Sequence, residues 1–455
     1  MDMPVSVLKR TQRKVLKMTN KNHFDASHYA EHYKSVQNGL EGLSTYWLVG
    51  TRDEALSNFI EVGLPGPKVE EWKYTNLSIL KSKTFESIID QTSPSDEIAR
   101  LIADAEIENA GGSKVVFIDG HYAANYSKVV SLEGICLLSL NEFVKAKPEV
   151  AQRLLNVSDE DATYVNLNSA LMTDGYVLLV TENTKLSKPI QIIHVASDNS
   201  NDKALRNKNI IALESNASAQ IIESFSGADD TQNWQQDVTK VSVAKNSVLE
   251  IYQIQQQGNE TIHMGETHID VDADAKFKHY SLNVGAKISR TEIKPTLNGL
   301  HGNVELRGAF LGRDGNSHDV FTHMKHLVPE CDSDQIYRGV LDKGGKSAFQ
   351  GKVYVAKDAQ LTNADQSNKN MILDRDAEAN SKPELLIYAD DVKCSHGATV
   401  GELDQEAMFY LNSRGLDKKA AKSLLVEAFV AELYEDITIE AVRDRFLDLA
   451  RSWLA

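Results

Sequence analysis

The chain has 455 residues, 42% hydrophobic and 25% charged, the composition of an ordinary soluble protein large enough for more than one structural unit. Its formal net charge of −16 argues against nucleic acid, which demands clustered Lys/Arg, and against membrane insertion stands the lack of any apolar run near the ~20 residues that cross a bilayer. Cys136, Cys331 and Cys394 are the only cysteines, which excludes a disulfide framework or a self-sufficient four-cysteine metal site and fits a reducing, cytoplasmic setting.

Residues 1–22 carry Lys9, Arg10, Arg13, Lys14, Lys17 and Lys21 against the single acid Asp2. They are read as a basic disordered tail, or as a lead ahead of a start at Met18. A transit peptide fits less well, because only two of the six cations are Arg and Ser is scarce. Residues 23–112 read as an N-terminal helical domain: "HYAEHYKSVQNGL" and "TRDEALSNFIEVGLPG" have helical apolar spacing, and "SDEIARLIADAEIENAGG" opens on Ser95-Asp96 and stops at Gly111-Gly112. The aromatic-rich "EEWKYTNL" (70–77) between them is expected as a packed loop.

From Val115 the rhythm changes to short strands, with a helix expected only near 138–155. Ala219, Val248, Ala275 and Asn303 mark equivalent strand starts, spaced 29, 27 and 28 residues apart. A second strand set lies between them: 238–244, 266–272, 290–297 and 317–324. Two short strands per near-constant period are the mark of a solenoid whose coils stack into one continuous core, so residues 113–400 are expected to form a parallel β-helix, with an antiparallel sandwich as the alternative. After Gly401 helices return. Asp404 and Asp417 are N-cap candidates and Gly415 a stop signal. Ala421, Leu424, Leu425, Ala428 and Phe429 form one apolar stripe, and Ile439, Val442, Phe446, Leu449 and Trp453 another. This C-terminal helical domain, 401–455, is expected to dock on the solenoid end or on another chain.

Few residues offer chemistry. Cys394 and His396, two apart, share one face of a strand if 385–396 form the last strand, with Cα atoms about 6.6 Å apart. Thiolate and imidazole suit zinc, copper and iron–sulfur species, but closed structural zinc sites take four ligands. The pair is therefore either a packing detail or part of a shared, incomplete site. In "SHDVFTHMKHLVPEC" (317–331), strand parity sets His318 and His326 apart from His323 and Cys331, so ladder-packed or solvated imidazoles are expected. "GGKS" (344–347) lacks the earlier Gly of a phosphate loop, its place being held by Val340, and reads as a hairpin turn.

At "YADDVKCSHGATVGELDQEAMFYLNSRGLDKKAAKSLLVEAFVAEL" (388–433) the chain resembles the SufB/SufD family of the Suf iron–sulfur cluster assembly machinery, on its SufD side. Weaker similarity at "EEWKYTNL", "VVFIDGHY", "LNSAL", "SKPIQI", "YRGVL", "FQGKVYV" and "NKNMIL" extends it over roughly 55–435. The resemblance implies a mainly β fold, a right-handed parallel β-helix flanked by N- and C-terminal α-helical domains. It also implies a non-catalytic scaffold subunit that pairs with a SufB-like subunit and a SufC-type ABC ATPase, the latter docking on the C-terminal helices. Such a complex builds nascent iron–sulfur clusters and passes them to acceptor proteins. The implied metal ligands are His396 and, less directly, Cys394, shared with SufB. The implied partner-binding residues are Phe409, Tyr410, Arg414, Gly415, Leu425 and Phe429. Flavin is left open. SufB-like sequences tend to read "HEAT" where this chain has His396-Gly397-Ala398-Thr399, and to carry a cysteine where it has Ile387. A SufB-like primary scaffold and a stand-alone β-helix enzyme remain as alternatives.

Overall fold

Strands such as Ser317–His326 and Lys346–Val355, ten residues each, are buried on both faces through most of their first halves and alternate between buried and less buried positions over their last five residues, where one face is inward and the other is not covered. The computed structural model describes residues 23–40, 45–155 and 163–454; the expected basic tail lies outside them. The strands of the solenoid are, in chain order, β1 (Lys114–Ile118), β2 (Tyr176–Val180), β3 (Ile190–Ala196), β4 (Lys203–Leu213), β5 (Ser218–Gly227), β6 (Trp234–Val243), β7 (Val248–Gln256), β8 (Ile262–Val271) and β9 (Lys276–Asn283). There follow β10 (Ile288–Leu297), β11 (Asn303–Gly312), β12 (Ser317–His326), β13 (Asp332–Leu341), β14 (Lys346–Val355), β15 (Asn363–Ile372), β16 (Glu378–Ile387) and β17 (Lys393–Glu402). Odd-numbered strands form one sheet and even-numbered strands a second. Each strand pairs in parallel with the one two places on, so the chain winds from sheet to sheet as a parallel β-solenoid.

One corner repeats from coil to coil. Asn183, Asn216, Asn246, Asp274, His301, Glu330 and Leu361 all have φ between 57° and 62°, the left-handed region that Asn and Asp tolerate best. The Asn216 amide donates to Asn183 Oδ1 at 3.0 Å and Asn246 to Asn216 at 3.1 Å, a short side-chain ladder up the corner. The corner at "GGKS" joins β13 to β14, which lie in different sheets, and so is not the hairpin expected; Gly345 N–H closes it onto the Asp342 carbonyl at 2.8 Å.

The interior is divided lengthwise. Ile192, Ile221, Leu249, Phe277 and Val304 meet Ile211, Val241, Ile269 and Ile293 in the apolar half. The other half holds buried His194, Glu223, Asp237, His263, His279, Asn283 and His318.

Helices α1 (His28–Val36), α2 (Tyr46–Val62), α3 (Asp96–Ala105), α4 (Leu140–Ala146), α5 (Pro148–Leu155) and α6 (Thr163–Leu171) precede or interrupt the first coils. The last of these was not expected from the sequence. With α2 it covers the outer face of sheet two at Trp234, Val238, Ile262 and Met264. Residues 64–95 form an irregular connection with short helical pieces at Glu70–Trp72 and Ser78–Ser82, and the loop expected at 70–77 lies within it. Its Trp72 lies over the buried Arg290 guanidinium at 3.9 Å, which pairs with Glu292 at 2.7 Å and with Asp319, while Thr75 donates to the same Asp319.

After the solenoid come α7 (Gln405–Ser413), α8 (Lys418–Ala431) and α9 (Glu440–Ser452). The last two dock on the outer side of sheet one rather than on its end, with Val426, Val430, Val442 and Phe446 against Ile222, Tyr252, Tyr280, Leu311 and Val340. Of the stripe expected on α8 only Ala421 is buried, and Leu424 and Ala428 are exposed. The sheet takes the Val426–Val430 side, where Arg338 bonds the Phe429 carbonyl and Glu432 and so fixes the rotation of the helix.

Leu361 is the corner residue least suited to its conformation, at φ 60° and 53% exposed. Leu361→Asn is expected to stabilise the fold by about 1 kcal/mol, because a left-handed conformation costs an ordinary L-residue roughly that much. Urea unfolding checks this, and an unchanged or lowered midpoint counts against it.

Candidate functional site at the open end of the solenoid

The site begins with an unfinished ladder. Strand β17 pairs with β15, and among the described residues no strand lies on its other side. Earlier coils are continued by a following strand; β16 and β17 end their sheets, no residue of β16 is buried, and nearly all residues of β17 are exposed. The strand expected over 385–396 is in fact divided. Leu385–Ile387 closes β16, residues 388–392 turn the corner, and Lys393 opens β17. The carbonyl of Asp391 in that corner receives the Leu361 N–H at 2.6 Å.

The period of two still holds for the pair that matters. Cys394 stands in register with Ala364 and His396 with Gln366, both buried members of the inward-facing rows. The two side chains thus share one face, as their spacing suggests, but their surroundings differ. Cys394 is half-buried and packs on the apolar half of the core beside Leu385, Val392 and Ala389. Burial pushes its thiol above the ordinary range, which disfavours the thiolate. His396 is exposed, its ring standing on the row that runs back through Gln366 and Gln335. On the opposite, outward face the Ser395 hydroxyl bonds Asp365.

An imidazole and a thiol two residues apart provide two donors of the kind that iron and zinc accept. Among the described residues no cluster of three His, Cys, Asp or Glu side chains has metal-binding geometry. The His-rich strand β12 follows its parity: His318 and His326 are buried inside and His323 faces outward. His326 Nε2 lies 2.9 Å from Ser333 Oγ, and burial lowers both interior imidazoles to about 4, so they are neutral packing elements.

Sequence reasoning missed the rim. Leu386, Ile387, Tyr388 and Val400 stand exposed around the unpaired end. The signal was available, since the repeat halts after β17 and leaves its inward residues without a following coil. The helical residues singled out divide into two groups. Phe409, Tyr410, Arg414 and Gly415 are exposed on α7 and its C-terminal turn, and none of the α7 side chains is buried. Leu425 is half-buried, while the Phe429 ring packs under the Arg338 guanidinium at 5.1 Å and so helps hold α8 to the solenoid. Between α8 and α9 lies a groove of about 750 Å3, lined by Leu416, Ala420, Leu424 and Leu449 with charged residues at its margin.

Comparison with known proteins decides the family. Residues 24–192 match the SufBD protein N-terminal region, and residues 194–429 match the SufBD core domain of SUF system FeS cluster assembly. The chain belongs to the SufBD family. An iron–sulfur cluster assembly SufBD family protein of Synechocystis is 28% identical over 92% of this chain and 96% of its own length. The iron–sulfur cluster assembly protein SufD of Escherichia coli is 28% identical over 86% of this chain and 90% of its own. SufD of Bacillus subtilis is 23% identical over 89% and 93%. This SufBD-family chain thus carries its Cys394/His396 pair on the last, exposed strand of the solenoid.

This difference in covering has a measurable consequence. His396→Ala is expected to change stability by no more than about 0.5 kcal/mol, the usual range for an exposed side chain. Cys394→Ala removes half-buried packing and is expected to cost about 1 kcal/mol. Denaturant midpoints of the two variants test the assignment, which fails if His396→Ala is the more destabilising.

Proposed function

We propose that this SufBD-family protein is a SufD-type scaffold subunit, one that has no catalytic activity of its own and contributes half of a site for a nascent iron–sulfur cluster. The observation that carries the reading is the placement of His396: inward-facing by register, yet exposed, on a strand whose second edge has no partner among the described residues. A partner that extends the ladder or packs on the Leu386–Tyr388 rim would bring its own ligands to His396, and Cys394 would join them if the partner's approach uncovers the thiol. The cluster is cargo, built across the interface and passed on to acceptor proteins. The partner is a SufB-like subunit, and a SufC-type ABC ATPase takes the C-terminal helices.

The chemistry of those helices supports the second contact. Exposed Phe409 and Tyr410 stand on a helix with no buried side chain, and the groove beside Leu424 offers apolar surface with Asp417, Lys419 and Arg451 close by. A rigid aromatic anchor next to an apolar groove with a charged rim is the usual anatomy of a protein interface. A SufB-like primary scaffold is the weaker reading, because two donors, one of them half-buried, fall short of a closed site.

Two experiments test the proposal. In the co-expressed complex, His396→Ala is expected to lower anaerobic cluster formation about tenfold or more while the subunits still co-purify. Full cluster yield would remove the ligand role. Phe409→Asp combined with Leu424→Asp is expected to weaken ATPase binding at least about 30-fold, the scale of a hot-spot loss, with cluster ligation left in place. Unaltered stoichiometry and affinity by native mass spectrometry and titration would move the docking surface elsewhere.

A further inference from the structure

The polar half of the solenoid interior contains an imbalance of charge near its first coils. His194 on β3, Glu223 on β5 and Asp237 on β6 are all buried, at 2%, 5% and 5% exposure. The His194 ring lies between Phe117 and Phe225, with centroids 5.2 and 4.6 Å away and planes within 13° and 9° of parallel. Its Nε2 is 3.4 Å from Glu223. Gln253 donates to the other Glu223 oxygen at 3.1 Å, and the Tyr176 hydroxyl lies at 3.4 Å. Asp237 accepts one bond, from Gln235 at 2.6 Å, and its Oδ1 has no partner.

The groups around Asp237 supply no second cation. Its register neighbours are Asn207 on β4 and Gly265 on β8. Tyr164 of α6 and Tyr176 of β2 face it electrostatically, and burial drives both phenols upward, away from ionisation. Burial likewise lowers His263 to about 3 and His279 to about 4, so both are neutral. The nearby guanidinium of Arg206 is outside the solenoid wall, bonded to Gln236 and Ser87. Two carboxylates and one imidazole are therefore buried together, where an uncompensated charge costs several kcal/mol.

We propose that His194, Glu223 and Asp237 form a proton-binding site within the solenoid: folding draws protons from neutral solution into this cluster, and Asp237 keeps its carboxyl proton there. Asp237 then adds no negative charge beside the His194 imidazolium, which is held between two aromatic faces. The direction of each shift agrees. Burial pushes the Asp237 carboxyl up to about 7. Burial opposes the charge on His194, but Glu223 and Asp237 outweigh it and raise its pKa. A group that binds its proton more tightly when folded contributes stability that is lost as pH rises from its unfolded value through its folded one. For Asp237 that interval runs from about 4 to about 7. The lowered histidines act in the opposite sense below pH 6.5, so only a comparison of variants isolates the cluster.

Asp237→Asn keeps the shape and removes the acid. Between pH 5 and 7 its folding constant is expected to gain on that of the wild type by up to about tenfold per pH unit, the linkage for one proton, and to gain little more above pH 7.5. Parallel pH profiles of variant and wild type in urea unfolding would overturn the proposal. His194→Gln keeps both acids and removes the cation. Because the raised imidazole stabilises the fold most below its unfolded value and loses that contribution as pH rises through its folded one, the variant's deficit is expected to be largest below about pH 6.5 and to shrink as pH rises. A deficit that does not change with pH would overturn the proposal equally, whether or not Asp237→Asn folds.

Discussion

A coil of a parallel β-solenoid cannot satisfy itself. Its backbone N–H and C=O groups point along the solenoid axis, so they bond only to the coil before and the coil after, and its inward side chains are buried by the facing sheet together with those same neighbours. Everything distinctive about this chain follows from that dependence. The regular left-handed corner from Asn183 to Leu361 keeps consecutive coils in register, and register stacks like rows into a continuous core. At the first coils the need is met locally: His121–Tyr122 pairs antiparallel with β1 and Ile135–Ser139 pairs antiparallel with β2. At the last coil nothing in the described chain meets it, and β17 is left with a free edge and an uncovered face.

The flanking helices solve a different problem. The outer faces of the two sheets carry their own apolar and charged residues, and these need covers. Sheet two takes α2, α6 and the Trp72 segment, whose position depends on the Arg290–Asp319–Thr75 network. Sheet one takes α8 and α9. A buried guanidinium with two carboxylates is costly to leave half-paired, so the network holds the N-terminal segment to one place on the sheet. Helix α7 has no such seat, which is why its aromatic residues remain in solvent.

Within the half-site, identical parity produces unequal chemistry. Cys394 falls on the apolar half of the divided interior and is drawn into it, which raises the free energy of its thiolate. His396 falls where the row behind it is already polar, at Gln335 and Gln366, and where no coil follows. The residue better placed for a ligand is thus the one the fold leaves bare, and the residue with the softer donor atom is the one the fold protects.

The sequence by itself determined the period, the two strands per coil, the helical ends and the pairing of Cys394 with His396 on one strand face. These depend on local rules: alternation, capping residues and the spacing of strand starts. The loop expected at 70–77 does pack, through Trp72 on Arg290, but the sequence missed α6, whose side chains are buried all round and so show no amphipathic period. On α8 it chose the Leu424–Ala428 face for burial, but the shape of sheet one and the grip of Arg338 selected Val426 and Val430. Only the tertiary structure decided which of two equivalent strand positions is covered, because covering is a property of the neighbouring coil and not of the residue. That neighbour is missing after β17, and its absence separates His396 from every other histidine on the inward rows.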